Sequence, residues 1–568
     1  MDTNNKSANV SFDSLLKIFT VPEGPDSTLT KIEEKLSGNL NKFLRDHIVT
    51  EEKPLVEIEK NFSNPTIPEA PEFVSDHTEH LLDKLVAHSV HTSAPSFIGH
   101  MTSALPYYLM PLSKIMIALN QNLVKIETSK AFTPLERQVL GMLHKLVYRS
   151  ESNNDDFYSK WMHSANYSLG AFCSGGTIAN ITALWVARNN LLKADGVFKG
   201  IEHDGLFAAL KHYNYDGLAI LVSERGHYSL KKAADVLGIG RNSIVAVATD
   251  ENNKINIEAL KQTFKDLKRK NIKPMAVVGV AGTTETGNVD PLDEMAQVCA
   301  EEKCHFHVDA AWGGATLMSS TYRRLLKGIE QADSVTIDAH KQLYIPMGSG
   351  MVLFKDPKAM STIQHHAAYI LRKGSKDLGS HSLEGSRSGM AMLVYASMHI
   401  ISRPGYELLI DQSIAKAHLF ADKIEAQQNF QLVTHPELCL LTYRFAPKEI
   451  QTLLERTVAI LEKQVDKTLN EELNKLNGLL NELTVYIQKK QRERGFSFVS
   501  RTTLTPKSLR SETTIVFRVV LANPLTTDKI LDKILVEQHA LAAQNSVLLE
   551  RISKQAESIR NWITNNGH

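Results

Sequence analysis

Between about residues 165 and 355 short apolar runs alternate with stretches of helical periodicity. The runs AFCSGG, LAILVS, SIVAVAT, PMAVVGVAG, CHFHVDAA, SVTIDA and GMVLFKD are of strand length. Between them lie TIANITALWVARNNLL, a helix starting at Tyr228 and a helix over Leu292–Glu302. Apolar strands joined by helices of about a dozen residues predict an α/β fold, with a mainly parallel sheet covered on both faces.

The flanking regions differ. Residues 1–75 are polar, with a helical stretch at 29–48 and then a Pro-rich strip (Pro54, Pro65, Pro68, Pro71), which predicts an arm laid over another surface. Helical patterning returns from 75 to 148, broken by SAPSFIGHMTSALP (93–106), which is too apolar for a solvent loop and suits a pocket lining. After a helix near 390–401, the strand candidates CLLTYRF and TTIVFRVVLA stand among amphipathic helices, and 530–562 repeats apolar residues at the spacing of one packed terminal helix. The expected division is an N-terminal arm and helical segment (1–105), a large domain (106–404) and a small C-terminal α+β domain with its terminal helix (405–568).

Composition narrows the classes. The chain has 568 residues, 43% hydrophobic and 22% charged, and 64 basic against 63 acidic residues leave a net charge of +1. No global field draws it to nucleic acid or to an anionic membrane. The N-terminus MDTNNKSANV has neither a basic nor an apolar leader region, and no run of 18 apolar residues occurs, so neither secretion nor a membrane span is expected. Cys173, Cys299, Cys304 and Cys439 match no zinc-ligand spacing. They are expected to be free thiols in a reducing cytoplasm, with no metal site.

Four strand-to-loop junctions each deliver unusual polar residues, where open α/β sheets bind ligands. Ser174-Gly175-Gly176-Thr177 joins an apolar strand to a long helix: glycine lets a ligand approach the backbone, and helix N-terminal amides with a threonine hydroxyl suit a phosphate. His227, in SERGHYS, puts an imidazole after a second strand. In HVDAAWGG, Asp309 ends a strand apolar enough to be central, so its carboxylate needs a partner, which a cationic ring nitrogen would supply, while small neighbours leave room for a flat ligand. In SVTIDAHK, Lys341 follows 32 residues after Asp309, and a desolvated lysine there forms Schiff bases.

SGGT, His, VDAAWGG and HK in this order resemble the pyridoxal-phosphate-dependent group II amino-acid decarboxylases over roughly residues 90–530. The resemblance implies a fold type I enzyme whose cofactor is pyridoxal 5'-phosphate. By it, Lys341 corresponds to the Schiff-base lysine, Asp309 to the partner of the pyridine nitrogen, His227 to the imidazole on one ring face and Ala311 to the small residue on the other. Gly176, Thr177, Asp338 and His340 match the neighbourhood of the phosphate, and Thr284 in AGTTETG matches a threonine close to the cofactor. Arg518 in VFRVVLANP resembles an arginine that receives a substrate carboxylate, with Phe97, His100 and Thr102 as helpers, although core packing is an alternative for Phe97. The runs DAHKQLYIPMGSGMVLFKDP and LEGSRSGMAMLVYASMHII look most like bacterial members acting on aspartate.

The resemblance therefore implies loss of the α-carboxylate of an acidic amino acid, aspartate to β-alanine ahead of glutamate to 4-aminobutyrate. A carbon–carbon lyase of the sphingosine-phosphate-lyase kind and a non-catalytic scaffold are the alternatives. Two departures stand out. Asp338-Ala339-His340-Lys341 replaces the usual Asn-Pro-His-Lys, and the loop after Tyr369 lacks the tyrosine that relatives use as a proton donor. His381 in a glycine-flanked mobile lid, or Lys341 itself, is left to return the proton. A homodimer is expected from the arm and the apolar helices around 112–143, with Ser386 and Arg387 reaching the neighbouring phosphate.

Overall fold

The computed structural model describes residues 11–16, 48–49, 53–67, 74–148, 155–366, 374–506, 509–511 and 513–567. The expected helix at 29–48 lies almost wholly outside them. Two compact units result: Leu105–Gln412 with Met1–Leu15, and Ser413–His568 with Leu16–Ala104. Residues 16–104, read from sequence as part of a separate segment, thus cluster with the C-terminal part.

The first unit holds a seven-stranded sheet made of β1 (Gly170–Cys173), β2 (Gly217–Ser223), β3 (Ile244–Val247), β4 (Ile272–Val280), β5 (His305–Asp309), β6 (Ser334–Asp338) and β7 (Gly350–Phe354). Their order is β1-β7-β6-β5-β4-β2-β3. Strands β2 to β6 pair in parallel, and β7 runs antiparallel to both β6 and β1. Every strand predicted here is present. The helix Gly176–Leu191 packs Ile181, Leu184 and Ala187 against Ile220, Val222 and Val278, which explains why these strands are apolar on their covered faces. Strands β5 and β6 are exceptions: HFHVD and SVTID alternate polar and apolar residues although nearly every position is buried.

The second unit contains an antiparallel sheet of β8 (Phe430–Thr434), β9 (Leu440–Phe445), β10 (Ser500–Leu504) and β11 (Thr514–Val520), ordered β10-β11-β9-β8. The irregular segment 93–104 is stitched onto it. Ile98 donates its amide to the Phe498 carbonyl at 3.0 Å and accepts from the Val520 amide at 2.7 Å, while Phe97 stacks on Phe498 at 4.8 Å. A side chain at Gly99 would meet the Ser500 amide nitrogen at 2.4 Å, so glycine is required for this approach. The single terminal helix expected at 530–562 is two helices, Asp528–Ala543 and Ser546–Asn565. Asn545 causes the break: its side chain accepts from the Leu548 amide at 3.2 Å and caps the second helix.

All four cysteines are buried and free, as expected. Among the described residues no helix is long and apolar enough to cross a membrane. Arg387 departs from expectation. Its guanidinium forms a two-point ion pair with the buried Glu136 in its own unit, so that carboxylate, not a distant phosphate, takes up its charge. Ser386 remains exposed, accepting from Asn122 Nδ2 at 2.9 Å.

Removing one partner of a buried ion pair strands the other charge, so Arg387→Ala should destabilise the first unit by about 3–5 kcal/mol. Glu136→Gln in the same chain should restore part of the loss in thermal unfolding. A single variant that melts like the parent would show the pair to be energetically idle.

Candidate active site

The sheet register gathers the candidates along one edge. Cys173, at the end of β1, pairs with Gly350, which pairs in turn with Asp338 at the end of β6. Asp309 ends β5 opposite Thr336 and Val280. The first turn of the helix Gly176–Leu191 closes over this edge. A Cβ on Gly176 would lie 2.8 Å from Asp338 Oδ2 and 3.2 Å from the Ala311 methyl, so only glycine lets the helix start there. Thr177 is half-buried in the same turn.

Asp309 is 6% exposed. Its Oδ2 accepts from Asn180 Nδ2 at 2.8 Å and its Oδ1 from the Ala311 amide at 3.2 Å. Among the described residues no basic side chain makes an ion pair with it. A buried carboxylate supplied with two donors and no cation suits a positively charged ring nitrogen.

Asp338 is 3% exposed, with Oδ2 at 3.1 Å from Lys341 Nζ and 3.5 Å from His340 Nε2. Its other oxygen, Oδ1, has no hydrogen-bond partner, and a Cβ on Gly350 would come within 2.6 Å of it. The carboxylate that replaces the usual asparagine is therefore turned to the lysine. His340 donates from Nδ1 to the Ser349 carbonyl at 2.9 Å. Burial pushes its pKa down, opposed by Asp338.

His227, half-buried after β2, has its pKa lowered by burial, with Asp309 opposing and Lys341 reinforcing that shift. Its Nδ1 lies 2.8 Å from Ser229 Oγ. Thr284 sits exposed in the turn after β4. Gly176, Thr177, Asp309, Ala311, Asp338, His340 and Lys341 thus share one sheet edge, and His227 is linked to Asp309 through Ser229 and Asn180.

His381 does not form the expected mobile lid. It lies in the short 3₁₀ turn Leu378–His381, 3% exposed, with Nδ1 at 2.8 Å from Ser380 Oγ. Burial and the nearby Arg137 guanidinium push its pKa down to about 4. A packed, neutral imidazole is poorly matched to delivering a proton near pH 7. Lys373, another basic residue of that loop, lies outside the described residues.

In the second unit, Arg518 on β11 is 8% exposed, and its guanidinium donates to the Gly99 carbonyl at 3.3 Å and to Ser500 Oγ at 3.4 Å. The fold thereby brings Arg518 to the segment carrying Phe97, His100 and Thr102. Phe97 is core, while His100 is exposed with Nδ1 at 3.1 Å from Thr102 Oγ1.

The sequence reading missed Asn180, Ser229, His305, His307 and Ser334, which hydrogen-bond behind Asp309 and His227. Two signals were available: an asparagine inside an apolar helix four residues after Gly176, and a histidine two residues before Asp309, hence on the same strand face.

The residues present fit pyridoxal phosphate, because a lysine beside a buried carboxylate, a second carboxylate lacking a cation and a glycine at a helix start lie on one edge. Comparison with known proteins agrees. The model of the pyridoxal-dependent decarboxylase conserved domain matches residues 56–446. Aspartate 1-decarboxylase of Aliivibrio fischeri (strain ATCC 700601 / ES114) is 66% identical over 554 residues, covering 98% of this chain and 99% of that protein. The acidic amino acid decarboxylase GADL1 of Xenopus tropicalis is 29% identical over 380 residues, 66% of this chain and 69% of its own. In fold, the crystal structure of mouse CSAD in apo form superposes with a TM-score of 0.74 at 24% identity, over 90% of this chain and 98% of that one. Similarity across most of the chain, joined to a site edge of matching chemistry, places this protein among the pyridoxal-dependent decarboxylases, as a pyridoxal-phosphate-dependent carboxy-lyase.

Proposed function

We propose that the enzyme removes the α-carboxylate of L-aspartate, giving β-alanine and CO2. The observation that carries this reading is the 66% identity, over nearly the whole of both chains, to the Aliivibrio fischeri aspartate 1-decarboxylase. The acidic-amino-acid decarboxylase among its relatives supports the same substrate class and keeps glutamate as the competitor to be measured. A family match to decarboxylases speaks against the carbon–carbon lyase and the inert scaffold.

Pyridoxal phosphate, when bound, supplies the electron sink for the pair released as the Cα–carboxylate bond breaks. Lys341 Nζ is the amine that would hold it, and Asp309 would partner its ring nitrogen. His227, Ala311, Gly176, Thr177, Thr284 and His340 are the other residues that would bind it. Arg518 recognises the side-chain carboxylate of the substrate, leaving the α-carboxylate as the group lost, with His100 and Thr102 assisting.

The proton that replaces CO2 on Cα comes from Lys341. Asp338 Oδ2 lies 3.1 Å from Nζ and holds the amine at the sheet edge. This reading replaces His381, which is packed away.

The working enzyme is a cytoplasmic homodimer. Met110, Ile115, Ile117 and Leu119 on the helix Leu109–Leu119 are exposed, and an apolar helix of this kind is expected to find cover in a second copy.

Lys341→Ala should lose borohydride-fixed cofactor and lower turnover by about 10⁴-fold; normal turnover would end the cofactor reading. Arg518→Met should reduce kcat/KM for aspartate by about 10- to 100-fold, the cost of a lost charge-assisted hydrogen bond. Release of CO2 from glutamate or an aromatic amino acid in preference to aspartate would overturn the substrate assignment. Sedimentation should show a dimer at assay concentration, and Ile117→Glu should shift it toward monomer; a fully active monomer would exclude the dimer.

A further inference from the structure

Behind the active edge runs a chain of buried polar groups whose donors and acceptors can be assigned from one end. Asp309 Oδ2 only accepts, so the Asn180 atom at 2.8 Å is its amide nitrogen, and Asn180 Oδ1 must face His307 Nε2 at 3.1 Å. An amide oxygen only accepts, so His307 carries its hydrogen on Nε2. Burial pushes the His307 pKa well down, leaving the ring neutral and its Nδ1 an acceptor. Ser334 Oγ, 2.9 Å away, therefore donates its hydrogen to that Nδ1 and accepts from His305 Nε2 at 2.8 Å. The direction of every bond from β5 to β6 is thus fixed by a single carboxylate.

Asn180 has a second amide hydrogen, and Ser229 Oγ lies 3.1 Å from the nitrogen. Having accepted there, Ser229 donates its own hydrogen to His227 Nδ1 at 2.8 Å, and the Ser229 backbone amide approaches the same atom at 3.3 Å. His227 is then held as the tautomer protonated on Nε2. Asn180, Ser229, His307 and Ser334 are all 0–1% exposed, so water cannot substitute for any of them without rearrangement.

We propose that Asn180 is a positioning residue which sets two cofactor-site groups with one amide, orienting the Asp309 carboxylate and fixing the His227 tautomer. His307 and Ser334 lock that amide against rotation. The inference rests on the reading of Asp309 as the partner of the cofactor's ring nitrogen.

The test uses apoenzyme reconstituted with pyridoxal phosphate. Cofactor affinity and the pH midpoint of the bound cofactor's absorbance are measured for Asn180→Ala, Ser334→Ala, Asp309→Ala and the Asn180/Asp309 double variant. Asn180→Ala should weaken cofactor binding by about 10-fold and move the midpoint by about one pH unit. In the Asp309→Ala background the same substitution should change both quantities by less, because only the branch through Ser229 to His227 is left for it to act on. Ser334→Ala, remote from the cofactor, should shift both quantities in the same direction by less, and it carries the test if Asn180→Ala fails to fold. Lowered melting temperatures with unaltered affinity and midpoint would make the network structural only and overturn the proposal. Unaltered cofactor binding in Asp309→Ala would instead overturn the underlying reading of the site.

Discussion

Asp309 is a carboxylate taken out of water at the end of a central strand, and such burial costs several kcal/mol unless donors or a cation compensate. The fold supplies two donors, Asn180 and the Ala311 amide, and among the described residues no basic side chain that ion-pairs with it. Much of the first unit's interior is arranged around this deficit. On the polar faces of β5 and β6, His307 is satisfied by Asn180 and Ser334. A cationic ring nitrogen would complete the compensation and would in return be favoured in its protonated form.

The second carboxylate of the site is managed differently. Asp338 faces Lys341 and His340, so its charge is balanced within the chain. An asparagine at this position would offer the lysine no counter-charge. Charge is concentrated on a few atoms at the sheet edge, while His307 behind it and His381 in its own 3₁₀ turn have their pKa values pushed down by burial.

Arg518 belongs to a separate construction. In the second unit Arg518 is anchored by the Gly99 carbonyl, and Gly99 occupies a position where any side chain would collide with Ser500 and Phe498. The apolar segment SAPSFIGHMTSALP is thus explained as an added edge to the small sheet. Its aromatic residue, Phe97, is spent on packing against Phe498, and its polar residues, His100 and Thr102, face each other at 3.1 Å.

The strands of the large sheet, the helix that follows SGGT, and the position of Lys341, Asp309, His227 and Gly176 next to strand ends were legible in the sequence, because apolar runs of strand length and side chains of unusual chemistry at strand ends are local signals. The alternation in HFHVD and SVTID was equally visible, yet by itself it describes strands with one face in water. Only the tertiary structure decided that the helix carrying Asn180 covers that face and turns it into an internal polar network. His381 shows the same limit in reverse: glycine and serine neighbours suggested mobility, but packing buried the ring. Arg387 was drawn to Glu136, 251 residues away in the chain. Contacts between distant segments depend on which face each element presents to its neighbours, and that is settled by the burial of the whole core rather than by any stretch of sequence.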